Sequence, residues 1–484
     1  MKKIITYIFI VFLAVGCMKD LSNYDYTDLN KITISGIDTL YTIGQMDVMK
    51  MNPQLSFSMG EEADLSYEWR INYQVVSNEK TLNKPIGVRF GYWPALFTVT
   101  NNKTGVKSFY DFKVEILNPY GYGLFVLSED DDESSILSFQ PRKPEIGFFK
   151  EDIFTHVNSE LGTLGKKPMQ LFYNTSNRDL YVVSKEGDKN VAILNSSTIQ
   201  PKNLINGNMV IGGYDGVFAP SFLIRFFGGT GIVSEGKFFI YDGGRSQALY
   251  RPVEGNYSLA NYITANSSLS ANYWVGYDKE RCQLITFAPE NDPYYFSKIQ
   301  PWSFDGVSTA NMKFVAGSEY GAIDYTDWVL MTHKKKLILE KDGTLHFFEL
   351  RLQKGDIDPA TQRMIPRMIF KKDMSIPNIG NVNSACLLAQ KSRYWFIGTE
   401  NKIYKVYADG GREAELWYTL ERGSVKAMTI DDKEKTLFVA ASVGSEANKS
   451  GDIIVLDAVK KSTLLEPVYK NVCKEPKSLI FKEK

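Results

Sequence analysis

Three groups of side chains in this 484-residue sequence have types and spacings suited to chemistry. The first is the acidic run Glu129-Asp130-Asp131-Asp132-Glu133. Clustered carboxylates suit a hard cation such as calcium, and Asp130 and Asp132 are the pair that would ligate it. The run lacks the alternating acids of a calcium loop, so the expectation is a solvated hairpin tip with no metal and no cofactor. The second group is aromatic. Tyr294, Tyr295 and Phe296 lie between Pro293 and Pro301, and Trp302 follows at once. Rings in irregular backbone form flat platforms for the C–H faces of sugars. Trp274, Tyr320 and Trp328 are weaker cases. The same rings also serve as packing between strands, which is their commoner use. The third group is Asp324 and Asp327 in "AIDYTDW". Glycoside hydrolysis needs two acids facing one cleft about 5–10 Å apart. Acids at this spacing equally cap a loop, and no catalytic residue is assigned.

Other chemistries find little support. His156, His333 and His346 are too far apart for a metal-binding helix pair, and a nucleophile–His–acid set has no local signature. There is no GxSxG elbow, no phosphate-binding GxxxxGK[ST] loop and no CxxC pair. Cys282, Cys386 and Cys473 allow one disulfide and a free thiol, or three thiols. The 56 basic and 56 acidic side chains give no net charge, which argues against nucleic acid as a partner. Aromatics make up 13% of the residues, which favours sheet.

The N-terminus gives an address. Lys2 and Lys3 precede an apolar run from Ile4 to Val15. The run has signal-peptide length and is shorter than the ~20 residues of a membrane span. Ala14-Val15-Gly16 then leads into Cys17, and this resembles the bacterial lipobox, with Leu13 one position earlier than the usual pattern places it. The resemblance implies removal of residues 1–16 and acylation of Cys17, with several acyl chains for stable anchoring. Met18-Lys19-Asp20 loosely resembles the Lys-plus-acid signal that sends some lipoproteins to the cell surface. Residues 17–31 are polar and read as a tether.

Beyond the tether the pattern is all-β. "DLSYEWRINYQVV" alternates, with Leu65, Tyr67 and Trp69 on one face. "ALFTVTNNKTGVKSFYDFKVEIL" is a hairpin with Phe112, Val114 and Ile116 on one face. Six or seven short strands at this spacing point to an immunoglobulin-like β-sandwich over residues 32–117, with Trp69 in its core. The "YEW" strand, the "NNKTG" turn and the closing "FKVEIL" resemble the PKD-like domain of surface lipoproteins from glycan-foraging bacteria. "NPYGYGLFVLSEDDDESSILSF" resembles the junction that follows it in that family. The WDFGDG-like turn of true PKD domains is absent.

Residues 118–484 hold one short helical candidate, "EDIFTHVNSELG", and a recurring unit of strand, polar turn and strand. "LFYNTSNRDLYVVSKEGDKNVAIL" and "SRYWFIGTENKIYKVY" are examples. Units roughly 40–60 residues apart suggest a β-propeller of about six or seven blades. A pair of β-sandwiches is the competing architecture. "SGDIIVLDAVKKSTLLEPVY" reads as the final blade, and "YGLFVLS" is expected to share it and close the ring.

The family resemblance implies an outer-membrane, surface-exposed lipoprotein that binds a polymeric glycan, glycopeptide or peptide without transforming it. It also implies a neighbouring importer of the starch-utilisation type. The alternatives are a hydrolase or lyase with acids on the propeller axis, and a structural subunit of the importer.

Overall fold

The computed structural model describes residues 29–45, 47–60, 64–142, 151–226, 229–244, 246–265, 274–289, 296–301, 307–320, 333–357, 359, 364–377, 379–382, 385–408 and 412–483. The chain divides into two compact units, 1–117 and 118–484.

The first unit is a β-sandwich. Its main sheet has the spatial order Leu40–Gly44, Lys107–Leu117, Gly91–Asn101, Leu65–Ile71, Gln74–Ser77. Only the first pair is parallel. Two short antiparallel pairs accompany it: Ile32–Ser35 with Gln54–Phe57, and Val48–Met51 with Leu82–Pro85. Alternation sets the core. Phe112, Val114 and Ile116 are buried, while Asp111 before them and Lys113 between them are exposed. Trp69 has no exposed surface, stacks on Phe97 at 4.1 Å and donates its indole N–H to the Glu79 carbonyl at 2.8 Å. The Asn101 side chain accepts from the N–H groups of Lys103 and Thr104. With Gly105 at φ 74°, this reverses the chain between the two longest strands.

The second unit is a propeller, and the described residues form seven sheets. Six are four-stranded, each meandering outward from its first strand: Lys166–Asn174, Pro220–Phe226, Leu259–Ala265, Lys313–Tyr320, Cys386–Ala389 and Ser424–Ile430 begin blades 2 to 7. Blade 1 is built from both ends of the unit. Its inner strand is Glu475–Lys482, followed outward by Gly123–Glu129 and Ser135–Pro141. The inner strands neighbour one another in cyclic order, and Glu475–Lys482 touches the inner strands of both blade 7 and blade 2. The ring is therefore closed. "YGLFVLS" does close it, but not by joining "SGDIIVL". Gly451–Asp457 belongs to blade 7, and the closing partner is the very last strand.

Seven apolar clusters each fill one gap between neighbouring blades. Both faces of a blade are thus covered, so its middle strands read as continuous apolar runs. Gly229–Ser234 and Trp274–Asp278 are buried at every position. The helix α1 (Ile153–Val157) packs on the outer strand of blade 1, with Asp152 capping the Thr155 N–H. Ile153 and Phe154 fill the blade 1–2 gap.

Strand direction defines two ends of the ring. Inner strands start at one end, which also carries the blade-to-blade connections and the turns between second and third strands. The opposite end carries the other turns.

Candidate functional site

Charged side chains in the described propeller are mostly spoken for. In blade 5, Lys336 sits between Glu349 at 2.9 Å and Asp373 at 2.6 Å, all three buried. A β-bulge opposite Phe347 and Phe348 turns Asp373 toward the lysine. Arg351 and Lys371 complete the network. Burial alone would raise the Glu349 carboxyl, but Lys336 and Arg351 hold it at about 2. Such fully matched charges are a packing solution and offer no free acid or base.

The acidic run is likewise matched, and by lysines. Asp130 and Asp131 meet Lys474 at 3.0 and 3.1 Å, and Glu129 meets Lys449 at 2.8 Å and Lys477 at 3.5 Å. Asp132 accepts from the Ser134 N–H and hydroxyl. Among the described residues no group of His, Cys, Asp and Glu could hold a metal ion. The expected hairpin tip is also a clasp, because Lys449 lies in blade 7 and Lys474 and Lys477 flank the start of the closing strand.

Trp274 is not a platform. It is 2% exposed and packs between blades 3 and 4 on Phe238, with ring centroids 5.1 Å apart. Gly231 makes room for it, since a Cβ there would come within 2.9 Å of both rings. Tyr294, Tyr295, Trp302, Trp328, Asp324, Asp327 and Cys17 lie outside the described residues, as does the side chain of Tyr320. Cys282, Cys386 and Cys473 form no disulfide, and burial pushes the thiols of Cys386 and Cys473 up to about 12.

Among the described residues, one open polar feature is a cleft of about 470 Å3 where blade 5 hands over to blade 6. Ile379, Gly380 and Asn381 form one wall, on the connection between the blades. Thr399, Glu400, Asn401 and Lys402 form the other, at the turn between strands Tyr394–Gly398 and Lys402–Tyr407. The turn is held from behind. Thr399 N–H donates to the Lys402 carbonyl at 2.9 Å, and the carbonyls of Glu400 and Asn401 accept from Val425 and Leu420 at 2.7 and 2.8 Å. The Asn381 amide donates to the Glu400 carboxylate at 3.4 Å. Gly380 has φ 128°, a conformation that favours glycine. Two amides, a hydroxyl, one acid and one base on a rigid frame can exchange hydrogen bonds with hydroxyl or amide groups of a ligand. They lack a buried acid poised for proton transfer.

Residues 17–168 match the model of the PKD-like family, which spans the sandwich and runs into the first two blades. No curated protein sequence matches the chain. Among solved structures, a quinonprotein alcohol dehydrogenase-like protein from Bacteroides thetaiotaomicron is similar at 14% identity and TM-score 0.49, over 94% of this chain and 99% of that one. A putative 6-phosphogluconolactonase from Bacteroides fragilis is similar at 14% identity and TM-score 0.46, over 75% and 98%. The periplasmic gluconolactonase of Pseudomonas aeruginosa is similar at 13% identity and TM-score 0.46, over 75% and 99%. Likeness this distant says nothing of chemistry.

The cleft was not singled out by sequence pattern. Its residues sit in "GTENK", which reads as an ordinary polar turn between two apolar strands. What makes it a cleft is the neighbouring connection at 379–382, which no local signal pairs with it.

Proposed function

We propose that this chain is a non-catalytic, outer-membrane lipoprotein of the cell surface that holds a polymeric nutrient beside an importer of the starch-utilisation type. The lipobox-like Cys17 supports the anchor, and the PKD-like match over 17–168 supports the family setting. The observation that carries the binding role is the contrast between the propeller's paired charges and its open polar cleft at Gly380–Asn381 and Thr399–Lys402. Amides and hydroxyls there suit the hydroxyl-rich backbone of a glycan or the amides of a peptide.

Affinity electrophoresis in gels containing single polysaccharides, with a parallel peptide panel, tests this. Retention by one polymer is expected, and Asn381→Ala with Asn401→Ala should reduce it about tenfold. Chain-length change of that polymer on incubation with the protein would instead establish an enzyme. Mass spectrometry of the mature N-terminus should show an acylated Cys17.

A further inference from the structure

We propose that the end of the propeller opposite the cleft rests on a lipid surface through Leu416, Val459, Leu464 and Leu465, with Lys460 and Lys461 meeting anionic headgroups. These four aliphatic side chains are 38, 64, 41 and 46% exposed. Hydrogen bonds and an ion pair tie the loop carrying three of them to the strand carrying Leu416. The connection from Asp457 to Tyr469 in blade 7 lies along the outer strand of blade 6, Glu415–Thr419. Ser462 donates both its N–H and its hydroxyl to the Trp417 carbonyl at 3.1 and 3.2 Å. Lys461 pairs with Glu415 at 3.1 Å. Asp457 caps the N–H groups of Val459 and Lys460 at 2.7 and 2.8 Å, so the loop is pinned before it meets anything. A pre-ordered loop loses little freedom on docking.

The chemistry of the patch selects the occupant. None of the six side chains named above is an aromatic ring or an arginine. Sugars need rings to stack on. Protein hot spots are enriched in Trp, Tyr and Arg and poor in Leu and Val. Aliphatic side chains flanked by two lysines suit an interface whose core is hydrocarbon and whose rim is anionic. Of the acids beside the loop, Glu415 is held by Lys461, Asp457 accepts from the N–H groups of Val459 and Lys460, and Glu466 is turned inward to Arg142 and Tyr469. No helix among the described residues is long and apolar enough to cross a membrane.

Position agrees with chemistry. The patch lies at the end where third strands finish, and the chain enters the ring at that same end, just before Gly123. The cleft at 379–402 lies at the other end. Docking would turn the cleft away from the bilayer. The inference needs the envelope location given above, but not the ligand assigned to the cleft.

The test uses residues 17–484 carrying Cys17→Ser, which removes the acyl anchor, and sedimentation with vesicles of phosphatidylglycerol or of phosphatidylcholine. Binding to phosphatidylglycerol that weakens with salt is expected. Leu464→Asp with Leu465→Asp should lower the partition coefficient at least about tenfold. Lys460→Gln with Lys461→Gln should lower it about tenfold on anionic vesicles and leave neutral ones unchanged. Val459→Ser is a milder second variant, expected to cost about threefold, should the leucine pair unfold. No sedimentation, or sedimentation untouched by these variants, overturns the proposal. So does gel filtration showing that the leucine pair instead dissolves a dimer. The Asn381→Ala, Asn401→Ala variant should still bind vesicles, so loss of polymer retention and loss of lipid contact are separable.

Discussion

Two lysines buried in the propeller solve the same problem in opposite ways. Lys336, in the middle of blade 5, is 2% exposed and lies between two carboxylates. Burial would lower its pKa, but hydrogen bonds to Asp373 and Glu349 outweigh that and hold it above its ordinary value. Lys482, in the closing strand of blade 1, is 4% exposed and meets no acid among the described residues. It donates to the carbonyls of Tyr120 and Ser196, both at 2.9 Å, and lies 3.4 Å from the Ser197 hydroxyl. Burial brings it down to about 8. Neutral oxygens satisfy its hydrogen bonds without balancing its charge. One lysine is locked as a cation, and the other is poised to give up its proton.

This contrast can be broken from either side. Removing Glu349 takes away one of the two buried carboxylates of Lys336 and leaves Asp373 alone to hold it, so Glu349→Ala should cost about 3 kcal/mol in denaturant unfolding. A loss under 1 kcal/mol would show that the network is looser than its distances imply.

Both pH responses should run in the same direction, stability rising with pH, but in separate windows. Glu349 titrates near 2 in the folded chain against 4.5 ordinarily, so its contribution of about 3 kcal/mol is complete above pH 4.5 and disappears as pH falls toward 2. Lys482 titrates near 8 folded against 10.5 ordinarily. Between those values the unfolded chain holds the extra proton, so stability should rise with pH by up to about 3 kcal/mol. Melting temperatures of wild type and Lys482→Met from pH 7 to 10 separate this from background titration, and parallel curves would reject it. At pH 7 itself, Lys482→Met should cost only about 1–2 kcal/mol, since relief of the buried charge offsets part of the lost hydrogen bonds.

The clasp at the ring's seam should contribute least. Asp130 and Lys474 are each about one-third exposed, and such pairs are worth about 0–1 kcal/mol. Asp130→Asn should therefore shift stability by less than Glu349→Ala does, and high salt should erase the shift.

Sequence pattern reaches these regions unevenly, for physical reasons. In the sandwich, one face of each strand meets solvent, so alternation at Phe112, Val114 and Ile116 is visible in the letters. In the propeller both faces are covered, and "WVGYD" is a plain apolar run. That run is itself a signal that Trp274 is core, because a ligand platform would have broken it. The pattern predicts ring closure, but the partner of Gly123–Glu129 is Glu475–Lys482 and not the strand in "SGDIIVL". Nothing local distinguishes "EPKSLIFK" from "SGDIIVL" as the strand that meets it. The acidic run reads correctly as a hairpin tip, while its lysine partners are far away in sequence and so unreadable. The cleft has the same difficulty, since Asn381 and Glu400 become neighbours only when two blades stack.

The seam also sets a schedule. Tyr120 and Lys482 touch although 362 residues separate them along the chain. A polypeptide made at about 5–20 residues per second leaves the first blade without its inner strand for about 20–70 s. Throughout that time an apolar strand edge stands open, so a chaperone has a defined edge to guard, and any chain cut short of Glu475 yields a ring that never shuts.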